Sequence, residues 1–247
     1  MSSSIMNCRH KKPNATYRLF CFHWAGGGSE FYAGWGANMT DSVEVYGVIT
    51  PGRESRFMEP AFTSAEKIAA ETAKCIKDNF SDKPFALFGH CMGAWMAFET
   101  ARVLQGAHEL PPTKLFVSGQ FSPHSEKYRS NVESTENMDD DQFIEFLRRL
   151  GGTPSEVLDN RDLMEVFLPT FRADSKCYET YKPDVGASKR LPCPIYAIDG
   201  TSDNYDHSEW SDLTTGETST KLIQGGHFYL TEDEGKNSLL QYIGDTL

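Results

Sequence analysis

The stretch Phe88-Gly89-His90-Cys91-Met92-Gly93 constrains this chain more than any other. It reads G-x-C-x-G, with an apolar run over 85–88 before it and a helical pattern over 94–104 after it. Strand, sharp turn and helix form the setting of a nucleophile elbow, here with cysteine where serine is usual. The middle residue of such a turn is strained, and a side chain on either glycine would collide with the strand or the helix. The turn lifts the Cys91 sulfur above the sheet edge. It aims the Met92 backbone N–H at the same space, at a helix N-terminus that favours negative charge. A small-residue turn around a buried cysteine satisfies the hexapeptide as well, so the rest of the chain has to decide.

Residues 17–22 predict a strand ending at His23-Trp24-Ala25-Gly26-Gly27-Gly28-Ser29. Successive glycines after a strand let backbone N–H groups approach a ligand closely. The Ala25 N–H is the candidate second oxyanion donor. Neither G-x-G-x-x-G nor the P-loop lysine pattern is present. A short helix is expected over 31–38, then a strand over 43–49 that runs into Pro51-Gly52-Arg53-Glu54-Ser55-Arg56. Arg53 and Arg56 rim that turn and are candidate phosphate contacts. Thr63-Ser64-Ala65-Glu66 reads as a capping box ahead of apolar positions at helical spacing. A strand follows the elbow helix at 114–118.

From 122 to 190 the strand rhythm stops. Asp139-Asp140-Asp141 open a helix with Arg148 and Arg149 in its last turn, and Gly151 ends it. A second helix is expected over 161–178, interrupted near Pro169. Strands at 194–199 and 217–223 and a helix at 236–243 complete the pattern. The alternation predicts an α/β chain, a mostly parallel doubly wound sheet with a helical lid insertion. One domain is expected over 17–247, with the lid at 122–190 and a disordered polar segment at 1–16.

Cys91, Asp203 and His227 each follow a predicted strand, in the order nucleophile, acid, histidine, which is that of the α/β-hydrolase fold. Strand ends on the carboxyl side share one sheet edge, so these three can meet there. His227 would hold a proton against a Cys91 thiolate, and Asp203 would fix the imidazole tautomer. His23 is the main rival of His227. Asp199 and Asp206 are rivals of Asp203, and His90 reads as structural. The formal net charge of −11 argues against nucleic acid and anionic membrane surfaces as partners. Six cysteines without metal-ligand spacing, and no signal or spanning segment, lead to the expectation of a cytoplasmic protein with reduced thiols and no metal.

Taken together, the glycine loop at 21–29, the 51–56 turn, the elbow, Leu150-Gly151-Gly152-Thr153-Pro154, Arg172-Ala173-Asp174 and Gly225-Gly226-His227-Phe228-Tyr229-Leu230 resemble the type II thioesterases. That family accompanies fatty acid, polyketide and nonribosomal peptide synthases, and the animal fatty acid synthase branch is the most similar. The resemblance implies hydrolysis of acyl chains from the phosphopantetheine thioester of an acyl carrier protein, by a monomer that needs no cofactor of its own. It implies a lid that forms the acyl pocket. Trp24, Arg53, Arg56, Arg148, Arg149, Arg172 and Phe228 are the candidate substrate- or carrier-binding residues. Two departures stand out: the family usually has serine at position 91 and commonly proline at position 23. A cysteine nucleophile exchanges one thioester for another, so transfer of the acyl group to an amine or alcohol is the alternative to hydrolysis.

Overall fold

Apolar runs place the strands. Phe85–His90 is buried at every position, as a strand covered on both faces must be, and it lies at the centre of the sheet. In the computed structural model, which describes residues 5–186, 190–203 and 205–247, the sheet has 7 strands in the order β1-β3-β2-β4-β5-β6-β7. These are β1 (Met6–Asn7), β2 (Tyr17–Phe22), β3 (Val43–Val48), β4 (Phe85–His90), β5 (Lys114–Ser118), β6 (Ile195–Gly200) and β7 (Thr218–Ile223). Only β1 is antiparallel to its neighbour; the remaining pairings are parallel. The strand order reverses between β2 and β4, and a crevice at the carboxyl ends of the strands beside such a reversal is where ligands bind in open sheets.

Side chains alternate between two cores, as the two-residue period of a strand requires. Leu19, Cys21, Ala86 and Phe88 face one side, with Tyr32 of α1 (Ser29–Ala33) and Leu239 and Ile243 of α8 (Asp233–Thr246). Phe20, Phe22, Phe85 and Leu87 face the other. They pack on Ile68 and Ile76 of α2 (Ala65–Phe80) and on Trp95 and Phe98 of α3 (Met92–His108). The insertion between β5 and β6 carries α4 (Glu126–Arg129), α5 (Asp140–Leu150), α6 (Ser155–Leu158) and α7 (Arg161–Thr180). It has a small core of its own from Phe143, Leu147, Leu158, Met164 and Phe171.

Three expectations need correction. The N-terminal segment is ordered from residue 5: Met6 pairs with Val48, the Ile49 N–H donates to the Ile5 carbonyl at 2.9 Å, and both side chains are buried. Two apolar residues are too few to show a period. The α2 cap is Ser64, whose hydroxyl accepts the Lys67 N–H at 3.4 Å, one residue later than the predicted box. Helix α7 runs unbroken through Pro169. Burial of Met164, Phe171, Ala173 and Cys177 along that helix offsets the hydrogen bond that proline removes. Residues 1–4 lie outside the described residues.

Candidate active site

The elbow is built from sterics. Cys91 sits at φ 54 and ψ −124, a conformation L-residues rarely adopt. A Cβ on Gly89 would overlap the Gly93 carbonyl and lie 2.6 Å from the Ala94 nitrogen; one on Gly93 would lie 2.7 Å from the His23 carbonyl oxygen. Both positions therefore require glycine, and the second draws the start of α3 directly against the end of β2. The Cys91 N–H donates to the Ser118 carbonyl of β5 at 2.8 Å. Met92 heads α3, so its N–H belongs to the first turn, which has no intrahelical acceptor.

The loops after β6 and β7 bring in the other two groups. His227 Nδ1 lies 2.9 Å from Asp203 Oδ2. Asp203 thus engages Nδ1, which leaves Nε2 for Cys91. A cavity of about 490 Å³ is lined by Cys91, Asp203, His227 and Ala25 together. Burial alone would push the His227 imidazole down. Hydrogen bonds to Asp203 and Cys91, and the charges on both, reverse this and raise it to about 10. The site thus sets a positively charged imidazole beside the Cys91 sulfur. Burial pushes four other thiols up, Cys8 to about 11, Cys177 and Cys193 to about 12 and Cys21 well above its ordinary range.

The rivals have other partners. Asp199 is 1% exposed and pairs with His207 at 2.7 Å. Asp206 is exposed and accepts the Ser208 N–H at 3.0 Å. His23 is buried behind the glycine loop, with Nδ1 2.8 Å from the Trp24 carbonyl and Nε2 2.9 Å from Thr50 Oγ1. Burial, then the charge of Arg53, pushes it down to about 4. His90 contacts Ser118 Oγ at 2.9 Å through Nδ1, and its ring centroid is 4.9 Å from that of His227. Burial and the neighbouring His227 charge hold it well below the usual imidazole range, so it backs His227 as a neutral ring.

The candidate binding residues divide. Arg53 and Arg56 are not rim residues: they are 8% and 6% exposed. Arg53 pairs with Asp174 at 2.7 Å. Arg56 pairs with Glu59 at 2.6 Å and Glu71 at 2.7 Å. Both guanidinium groups are buried and held by internal carboxylates, so neither is available to a phosphate. Trp24 is buried against Phe228, with ring centroids 5.6 Å apart, and does not line the cavity. Phe228 itself packs on Gly151 and Gly152, where a Cβ would meet its ring, and so joins the His227 loop to the end of α5. Arg172 stacks over Phe143 at 4.4 Å and pairs with Asp140 at 2.7 Å. Arg148 pairs with Glu145 and Asp159 away from the cavity. Arg149 lines the cavity and is exposed, paired with Glu133 at 3.0 Å. The apolar wall from Phe121, Val132, Phe146, Leu150 and Tyr178 was not anticipated. These side chains come from four separate segments, with no local pattern to mark them.

Among the described residues, no group of three or more His, Cys, Asp or Glu side chains is placed to hold a metal ion, and no helix is long and apolar enough to cross a membrane.

Residues 17–247 match the thioesterase domain family. The chain is 34% identical over 247 residues to the medium-chain S-acyl fatty acid synthase thioesterase of Rattus norvegicus, covering 100% of this chain and 94% of that protein. It is 37% identical over 227 residues to the gramicidin S biosynthesis protein GrsT of Aneurinibacillus migulanus, covering 89% and 85%. Among solved structures, the type II thioesterase BorB from the borrelidin biosynthetic cluster superposes with a TM-score of 0.83 at 30% identity, covering 99% of this chain and 98% of that one. With this fold and these relatives, the chain belongs to the thioesterase family and is a thioester hydrolase of the α/β-hydrolase fold.

Proposed function

We propose that this enzyme releases acyl chains from the phosphopantetheine thioester of an acyl carrier protein, or from acyl-CoA, in the service of a fatty acid or polyketide synthase. The reaction runs through an acyl-Cys91 intermediate in a Cys91–His227–Asp203 triad. The observation that carries this reading is the meeting of Cys91, His227 and Asp203 at one cavity, with Asp203 bonded to His227 Nδ1. The names of its relatives, which include fatty acid synthase and type II thioesterases, support the substrate class.

The chemistry follows from the charges. The Cys91 thiolate attacks the thioester carbonyl, and the oxyanion that forms is met by the Ala25 and Met92 N–H groups. Collapse breaks the carbon–sulfur bond to pantetheine, and the His227 imidazolium gives its proton to the departing thiolate. Acylation removes the Cys91 charge and hydrogen bond, two of the influences that hold the His227 proton. The imidazole is then neutral and serves as base to a water. Water attack and loss of the Cys91 thiolate yield the free acid, and His227 keeps the proton it took from water. The Phe121, Val132, Phe146, Leu150 and Tyr178 wall suits an apolar acyl chain. The helical insertion acts as the lid over it, and Arg149 stands at the mouth for the carrier or its phosphate.

A second reading, transfer to an amine or alcohol, is favoured by one observation. The acyl group on a cysteine remains an activated thioester, and exchange onto it is nearly neutral in energy. Product analysis separates the two. The enzyme is given octanoyl-pantetheine with and without a panel of amines and alcohols. Free octanoate at an unchanged rate in both arms supports hydrolysis. An acylated acceptor at the expense of acid supports transfer, and neither product refutes both.

A further inference from the structure

His23, Arg53 and Asp174 take part in none of these steps, yet they form one buried cluster behind the glycine loop. The peptide unit joining Trp24 to Ala25 carries the Ala25 N–H at one end and the Trp24 carbonyl at the other. That carbonyl accepts the Gly27 N–H at 2.9 Å and lies 2.8 Å from His23 Nδ1. A peptide unit is planar, so fixing its oxygen fixes the direction of its N–H. With Nδ1–H donating to Trp24 and Nε2 accepting from the Thr50 hydroxyl at 2.9 Å, the His23 ring is held at both nitrogens.

The following residues are held as well. The Gly26 N–H donates to Asp174 Oδ2 at 2.8 Å. Arg53 donates to Asp174 Oδ1 at 2.7 Å and to the Gly27 carbonyl at 2.5 Å. Arg53 stands in the loop after β3, while Asp174 comes from α7 of the insertion. Thr170 of the same helix donates its hydroxyl to the Gly52 carbonyl at 2.9 Å, and a Cβ on Gly26 would lie 3.1 Å from the Phe171 ring. The oxyanion loop is thus bonded to the lid helix at the residue next to the donor.

We infer that His23, Arg53 and Asp174 are positioning residues for the Ala25 oxyanion donor, and that the donor is in place only while α7 is seated. This rests on the reading of Ala25 as that donor. Withdrawal of α7 takes the Asp174 carboxylate from Gly26 and Arg53 at once. An open lid then leaves a reactive sulfur without a complete oxyanion site, which ties attack on the thioester to closure over the acyl chain.

Two reactions of the same sulfur test this. Iodoacetamide alkylates Cys91 by displacement at a saturated carbon, which needs the thiolate and no oxyanion donor. Octanoyl-pantetheine acylates it through a tetrahedral oxyanion. The variants are Asp174→Ala, His23→Leu and the double change Arg53→Met with Asp174→Leu, which removes both buried charges together and so spares the fold the cost of one left unpaired. Folding is checked by circular dichroism, and both rates are read by intact mass. The expected result is a fall of about 10- to 100-fold in acylation with alkylation within about twofold of wild type. Unchanged acylation in folded variants overturns the inference, and so does an equal loss of both reactions. A wild-type protein that alkylates normally but never acylates overturns the thioesterase mechanism itself, and this inference with it.

Discussion

Replacing Asp203 by asparagine keeps the shape of the site and removes one charge, so its effect can be worked from the state of His227. Raising that imidazole from 6.5 to about 10 favours the protonated form by about 5 kcal/mol. Burial acts against this, and the support is shared by Asp203 and Cys91 through a hydrogen bond and a charge each. Losing a hydrogen bond to a charged partner costs about 1.5–3 kcal/mol, which is about one to two pH units on the His227 midpoint. The assay is the pH titration of the His227 imidazole followed by NMR. For Asp203→Asn the imidazole midpoint should move down from about 10 by that amount. An unmoved midpoint in a folded variant would refute the claim that Asp203 holds the His227 proton. Loss of turnover alone would not support it, because a displaced His227 has the same consequence.

Four further outcomes follow from the geometry. Gly93→Ala places a methyl 2.7 Å from the His23 carbonyl oxygen and should cost about 1–3 kcal/mol or more, seen as a lower midpoint in urea. Stability should fall as pH drops from about 6.5 through 4, because His23 stays neutral in the fold down to about 4 while the unfolded chain binds its proton from 6.5 downward. His23→Gln should flatten part of that slope in thermal unfolding; an identical slope would count against the buried neutral ring. Charge reversal at Arg149, which lines the cavity mouth, should raise KM for a carrier-bound substrate and spare a small pantetheine thioester, whereas reversal at Arg148 should do neither. Iodoacetamide at pH 7 should modify Cys91 well ahead of Cys8, Cys21, Cys177 and Cys193, as peptide mapping would read, since burial lifts those four thiols.

What was legible in the sequence was what local sterics and chain order dictate. Gly89 and Gly93 announce the elbow because no other residue fits either position. That Asp203 and His227 meet was legible because parallel strands deliver their carboxyl ends to one edge. Charges were read less well. Arg53 and Arg56 look like a basic rim in a turn, yet their partners Asp174 and Glu71 are distant in sequence or lie on another element. Pairing at such separations leaves no mark on composition, and it turns two candidate binding residues into internal ties. The β1 strand escaped for a different reason, being two residues that gain their place from β3 and not from any period of their own. Asp174 was visible as part of a motif, but its bond to Gly26 appears only when α7 is laid over the glycine loop.

The central claim is that Cys91 carries the acyl group during turnover. It is tested most directly by quenching the enzyme in acid during steady-state hydrolysis of octanoyl-pantetheine, then measuring intact mass and mapping the adduct. The account predicts one octanoyl group on the peptide containing Cys91, released as octanoate with time, and neither adduct nor acid from Cys91→Ala. Octanoate production by Cys91→Ala at the wild-type rate, or an adduct on any other residue, would contradict it.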